Sequence, residues 1–338
     1  MRYMSSRTRS KSFEGVNLGG WLLVERWMTP SLFKDTDAKD EYSLMQTPNG
    51  ASRIKKHRDT YMTEEDWKWL AAHEVTHVRV PIGYWALHDD PPYVNAKARL
   101  DWAFRMAEKY DIKILLDLHA LKGSQNGTIH SGKIGPVEWR GYEQESLDTL
   151  KELATCYRDS KALWGLEIIN EPKVLGNYIA LLRYYRDAYK VVRKILKPGT
   201  YTVFQDGFLP LFFSGVLWAT KGHPVIMDTH FYLAFPNILS KLSPKAYDRC
   251  RGFMYSSALL LTIWRQPVIV GEWSSVLPQQ MFNRVPVEGH YAMLGETIAR
   301  QRHTYRRALG TFYWSYKAEG KGMYNYRSLV EAGTIHTP

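Results

Sequence analysis

Eight short runs rich in Val, Ile and Leu recur along the chain with helical stretches between them, and this alternation leaves few folds open. The runs are Ser12–Leu18, His77–Ile82, Lys113–His119, Leu163–Asn170, Tyr201–Asp206, Val225–Tyr232, Pro267–Glu272 and Gly310–Tyr316. They lack the polar alternation of a half-solvated strand, so each reads as a parallel strand buried on both faces. Amphipathic segments lie between them, such as Glu64–His73, opened by Thr63 with Asp66 as a capping-box partner, and Ala96–Tyr110. Strand, helix, strand repetition implies a parallel sheet, and eight units close it. The expected fold is α/β, a (β/α)8 TIM barrel. No Pro/Gly/Ser linker or low-complexity tract divides residues 1–338, so they are expected to form one domain, with residues 1–11 as a basic tail.

Three connections are long and are expected on the catalytic face. They are the polar stretch 33–58, with the turn signal Pro48-Asn49-Gly50, then 120–138 after the third strand, and 273–286 after the seventh. The formal charge of +11 raises the question of nucleic acid. The cations are scattered, as in Lys55-Lys56, Arg193-Lys194 and Arg306-Arg307, so a solvated basic surface is expected and no nucleic-acid partner. Two cysteines, Cys156 and Cys250, allow one bridge or two free thiols and exclude a disulfide framework. The basic start lacks the apolar core of a secretory signal, and no run is long and apolar enough to span a membrane. A cytoplasmic protein is expected if the sequence is full length.

Two carboxylates follow apolar runs: Glu171 in Leu166-Glu167-Ile168-Ile169-Asn170-Glu171-Pro172, and Glu272 in Val268-Ile269-Val270-Gly271-Glu272-Trp273. The carboxyl ends of barrel strands are where such folds keep their chemistry. A strand-end acid can also serve a structural ion pair. His73-Glu74-Val75-Thr76-His77 matches a zinc-protease pattern that needs one unbroken helix. The helical pattern stops near His73 and Val75–Val80 reads as strand, so no metal site is expected there.

The chain carries, in order, Gly15-Val16-Asn17-Leu18-Gly19-Gly20-Trp21-Leu22-Leu23-Val24-Glu25, Val78-Arg79-Val80-Pro81, Asp117-Leu118-His119, Gly123-Ser124-Gln125-Asn126-Gly127, Asn170-Glu171-Pro172, Asp228-Thr229-His230-Phe231-Tyr232, Gly271-Glu272-Trp273 and Phe312-Tyr313-Trp314. This ordered series is the basis of a close resemblance to the exo-β-1,3-glucanase branch of glycoside hydrolase family 5. The resemblance implies a retaining mechanism with Glu171 as acid/base and Glu272 as nucleophile, their carboxyl groups roughly 5–5.5 Å apart. At an effective dielectric near 20, two negative charges at that distance repel by about 3 kcal/mol, which keeps one of them protonated. The resemblance places Arg79 beside Glu272, so the proton is expected on Glu171, with His230 and Tyr232 orienting the carboxylates.

By the same resemblance Asn170 holds the sugar 2-hydroxyl, His119 and Glu25 bind further hydroxyls, and Trp314 lies beneath the glucose ring, although core packing is the other reading of Trp314. Thr128 stands where the family usually carries an aromatic, and Ala120-Leu121-Lys122 replaces a Pro-containing run. Phe235 is therefore expected to be the remaining half of an aromatic clamp on the leaving group. Asn126-Gly127-Thr128 is also an N-glycosylation sequon, yet a glycan there would obstruct substrate. No cofactor is implied. The partner is a β-glucan or β-glucoside, a monomer is expected, and the family expectation for location is extracellular or cell-wall-associated. Transglycosylation, another linkage (β-1,6 or β-1,4) and a non-catalytic glucan-binding protein remain as alternatives.

Overall fold

All eight expected strands form, as β1 (Phe13–Asn17), β2 (His77–Gly83), β3 (Lys113–Ala120), β4 (Leu163–Glu167), β5 (Tyr201–Gln205), β6 (Val225–Phe231), β7 (Val268–Trp273) and β8 (Gly310–Tyr313). They are seen in a computed structural model that describes residues 12–336 apart from 236 and 320–321. The expected tail over residues 1–11 lies outside the described residues. The strands pair in chain order, all parallel, and β8 closes onto β1 from Phe13↔Gly310 to Val16↔Tyr313. The fold is a single-domain (β/α)8 TIM barrel.

Alternate residues of a strand point to the same face, which turns linear sequence into columns inside the barrel. In β3 one column is Leu115, Asp117, His119; in β6 it is Ile226, Asp228, His230. Leu115, Val203, Ile226, Ile269 and Phe312 form an apolar plug in the barrel. Going along each column toward the C-terminal mouth, the plug gives way to a buried acid and then to an imidazole. Outside the barrel, helix Tyr178–Val192 buries Leu181, Tyr184, Tyr185, Ala188 and Val192, an amphipathic spacing that seats it on the sheet. Helix Glu64–Ala72 opens as expected, with the Thr63 amide donating to Asp66 Oδ2 at 2.8 Å.

The stretch 33–58 departs from its expected form as a polar loop. It contains helix Glu41–Met45 and most of helix Gly50–Tyr61, and its Phe33, Leu44 and Ile54 join Leu23, Val24 and Trp85 in a second small core. The polarity was misleading because Glu41 and Arg58 are buried together, 2.8 Å apart, and Arg58 also donates to the carbonyls of Leu22, Val94 and Asn95. Glu41 Oε2 in turn accepts from the Val24 amide, fixing the loop after β1. Cys156 and Cys250 are both free. No helix among the described residues is long and apolar enough to cross a membrane.

Candidate active site

A single guanidinium organises the mouth of the barrel. Arg79, on β2 and fully buried, directs four N–H groups to acceptors. Nε donates to Glu167 (2.8 Å), Nη1 to Asn17 Oδ1 (3.0 Å) and Glu272 Oε1 (2.8 Å), and Nη2 to Asn170 Oδ1 (2.8 Å), while Asp117 forms an ion pair with Nη2 at 3.0 Å. A rigid planar fork suits such convergence better than a lysine ammonium. Glu167 is pushed above the usual carboxylate range by burial, against the opposing charge of Arg79. Asp228, on β6, lies 4.0 Å from Arg79 Nε and accepts from the Gly271 amide at 2.6 Å. That approach requires glycine: a Cβ at Gly271 would fall 1.9 Å from Asp228 Oδ2.

Glu272 is held at both oxygens, by Arg79 on Oε1 and by Tyr232 Oη on Oε2 at 2.8 Å. Glu171 sits on the loop after β4 with φ of 40°, a left-handed conformation that a non-glycine residue keeps only when its surroundings impose it. The Asn126 side-chain amide donates to its carbonyl at 3.1 Å, and Gln125 Nε2 donates to the carbonyls of Asn170 and His119. The Ser124-Gln125-Asn126 segment therefore straps the loop that carries Glu171. A glycan on Asn126 would sit on the amide nitrogen that makes this contact.

One oxygen of Glu171, a ring nitrogen of His230 and one oxygen of Glu272 all lie within 4.8 Å of one another. His230 Nδ1 is 2.6 Å from Glu171 Oε1 and 3.6 Å from Glu272 Oε2, and its Nε2 is 3.2 Å from Asp228. The expected neighbours thus meet, joined by a second imidazole, His130, that the sequence did not reveal. His130, on the turn Ile129–Ser131, places Nε2 3.1 Å from Glu171 Oε2 and 2.7 Å from Thr128 Oγ1.

These imidazoles change the expected resting protonation. Burial favours a neutral Glu171, yet the hydrogen bonds and charges of His130 and His230 overcome it and hold the carboxyl well below its ordinary range. Burial opposes charge on His130 as well, and Glu171, Glu25 and Glu272 outweigh it, pushing the imidazole up to about 9. The proton expected on Glu171 therefore rests on its histidine partners.

The remaining expected residues converge on the same mouth. His119 bonds Asp117 at 2.6 Å, lies 3.3 Å from Asn170 Nδ2 and stacks on Trp314 with ring centroids 5.8 Å apart. Glu25 is buried, accepts from Trp27 Nε1 at 2.8 Å, and is pushed above its ordinary value by burial against the charges of His130 and His119. Trp314 is buried. Phe235 is 66% exposed, its ring 6.1 Å from that of Tyr232. Thr128 is tied into its own turn by Asn126 Oδ1 at 2.7 Å and offers no aromatic face opposite.

Sequence reasoning gave no role to Asn17, Asp117, Glu167, Asp228 or His130. A signal existed for Asp117, Glu167 and Asp228: each is a charge inside an otherwise apolar strand. His130 lies on a turn without periodicity and carried none.

Among the described residues, two acid and histidine groupings have ligand atoms close enough to share a metal, Glu167/Asp228/His230 and Glu171/His230/Glu272. Both include a carboxylate already bonded to Arg79, whose buried charge would face any cation placed there. His73 and His77 of the zinc-like motif diverge. The helix ends at Ala72, while His77 begins β2 and stacks on Phe13 at 3.7 Å, at the N-terminal end of the strand.

Two apposed carboxylates at the C-terminal mouth of a (β/α)8 barrel, with oxygens within 4.8 Å of one another, have the spacing that a retaining glycoside hydrolase requires. Comparison with known proteins agrees. The family model for cellulase, glycosyl hydrolase family 5, matches residues 44–320. A probable glucan 1,3-beta-glucosidase A of Emericella nidulans is 35% identical over 378 residues, covering 99% of this chain and 92% of that protein. A protein of the same name from Aspergillus fumigatus is 31% identical, with 96% and 87% covered. Among solved structures, a rutinosidase from Aspergillus niger shares the fold with a TM-score of 0.78 at 21% identity, over 96% of this chain and 98% of that one. The chain belongs to glycoside hydrolase family 5.

Proposed function

We propose that the protein is a retaining β-glucosidase that releases glucose from β-1,3-linked substrates, with Glu272 as nucleophile and Glu171 as acid/base. The observation that carries this reading is the approach of Glu171 and Glu272 within 4.8 Å, with Arg79 and Tyr232 fixing the latter. Direct displacement needs roughly 5–5.5 Å between carboxyl groups, whereas inversion needs about 6.5–9.5 Å. The names of the relatives support β-1,3-glucan as the substrate class.

In the first step a Glu272 oxygen bonds to the anomeric carbon, the glycosidic C–O bond breaks, and the departing oxygen takes a proton from Glu171. The supply of that proton is His130, one hydrogen bond away from Glu171. In the second step Glu171 removes a proton from water, the hydroxide attacks the anomeric carbon, the ester to Glu272 breaks, and β-glucose leaves. In this reading Asn170 holds the 2-hydroxyl, His119 and Glu25 bind other hydroxyls, and Trp314 lies under a sugar face. A sugar hydroxyl replacing water in the second step gives transfer. A product profile on β-1,3-, β-1,4- and β-1,6-linked oligosaccharides tests linkage, with glucose released fastest from the β-1,3 series as the expected outcome.

The proton supply has a pH signature. His130 is charged below about pH 9 and neutral above it. On a substrate with a poor leaving group, kcat/KM is expected to decline above about pH 9, and His130→Gln to move that limb. On 2,4-dinitrophenyl β-glucoside, whose leaving group needs no proton, the limb should be weak or missing. Matching limbs on both substrates would contradict this role.

A further inference from the structure

We propose that the surface beside Glu171 binds an apolar leaving group, a hydrocarbon chain or ring attached through the anomeric oxygen of a β-glucoside. The inference rests on Glu171 being the acid that meets that oxygen. It begins in the connection from β5 to β6, whose helix is the four-residue Pro210–Phe213. Its sequence, Gly207-Phe208-Leu209-Pro210-Leu211-Phe212-Phe213, is nearly all apolar. Phe213 turns inward and is buried, but Phe208, Leu209, Leu211 and Phe212 are 51%, 40%, 49% and 66% exposed. The approach to helix Tyr178–Val192 and its first turn add Leu175 and Ile179, 85% and 66% exposed. The two segments abut: Tyr178 Oη donates to the Phe212 carbonyl at 3.3 Å, its ring lies 5.3 Å from Phe213, and a Cβ on Gly207 would meet Val174 at 2.2 Å.

This surface runs into the active site. The Phe208 ring stands edge-on to His230 at 6.2 Å, and His230 bonds Glu171. Phe208 is held there with φ of 65°, its amide donating to Asp206 at 2.8 Å. A leaving group departs on the side of the acid that protonates it, so it emerges next to Phe208. Soluble proteins rarely expose a contiguous apolar patch of this kind without a use for it. A sugar leaving group would want hydrogen-bonding side chains and flat aromatic faces. Phe208 and Phe212 can stack on either kind of group, but Leu175, Ile179, Leu209 and Leu211 offer neither aromatic face nor hydrogen bond, and they suit hydrocarbon.

The test uses the full chain and methyl, butyl, hexyl and octyl β-glucosides below their micelle concentrations, with laminaribiose as control. The expected result is a kcat/KM that climbs with chain length, by up to about fourfold per methylene where burial is complete. Leu211→Ser/Phe212→Ser is expected to flatten that series while methyl glucoside and laminaribiose are cleaved as before. A flat series with laminaribiose still cleaved overturns the inference and leaves the proposed activity standing. A steep series that the double substitution does not change places the hydrocarbon elsewhere and overturns it too. Adsorption to phosphatidylcholine vesicles together with a flat series assigns the patch to a membrane and overturns it as well. Cleavage of no glucoside at all removes the proposed activity itself.

Discussion

Glu171→Ala is expected to lower kcat/KM on laminaribiose by about a hundredfold to ten-thousandfold while barely slowing the first step on 2,4-dinitrophenyl β-glucoside. The range is that of a single positioned general acid. A sugar alkoxide cannot leave unprotonated, whereas dinitrophenolate can, so the two substrates separate the loss of an acid from a collapse of the site. The second step loses its general base in the same variant, and the glucosyl ester on Glu272 should accumulate. Azide, a nucleophile that needs no deprotonation, should then restore turnover and yield β-glucosyl azide. The β configuration follows because azide enters from the face that the leaving group vacated. Equal losses on both substrates, with no rescue, would mean that Glu171 holds structure and transfers no proton. Because Asn126 grips the Glu171 carbonyl and not its side chain, the alanine variant should keep the backbone in place.

Arg79→Met is expected to destabilise the fold by about 3–5 kcal/mol or more, besides removing activity. That is the usual cost of stripping one partner from a buried ion pair, and here the guanidinium lies within 4.0 Å of four carboxylates, Asp117, Glu167, Asp228 and Glu272. Without that charge nothing offsets the burial of these acids, and Glu167, already above the ordinary carboxylate range because of burial, rises further and binds a proton in the fold. A carboxyl raised on folding binds more protons in the native state, and native stability then falls as pH rises. The deficit of the variant should therefore be largest near pH 8 and shrink toward pH 5. Urea unfolding of both proteins at the two pH values measures it. A deficit under about 1 kcal/mol, or one that grows on acidification, would show that Arg79 is not what holds these acids together.

Much of this architecture was legible in the chain because of how parallel barrels are built. A strand buried on both faces leaves a continuous apolar run, and such runs located β2, β3, β6 and β7 to within about two residues. β4 stops at Glu167, three residues before its run does, because the chain turns outward to present Asn170 and Glu171. That turn depends on hydrogen bonds from Gln125 and Asn126, which are remote in sequence. Burial of charge was the main thing that local pattern concealed. Glu41 and Arg58 look like surface residues until they are seen to pair, and Glu167 looks incidental until Arg79 reaches it. His130 shows a third limit. Its effect on Glu171 comes from a contact between two irregular loops, and no periodicity records it.

The most direct measurement is to trap the covalent intermediate. Incubation with 2,4-dinitrophenyl 2-deoxy-2-fluoro-β-glucoside slows the second step more than the first, so the sugar should remain on the nucleophile and be found by peptide mass spectrometry. One fluoroglucosyl group per chain, on the peptide carrying Glu272, is the expected result. A label on any other side chain, or no label from a preparation that hydrolyses the unfluorinated glucoside, would contradict the assignment.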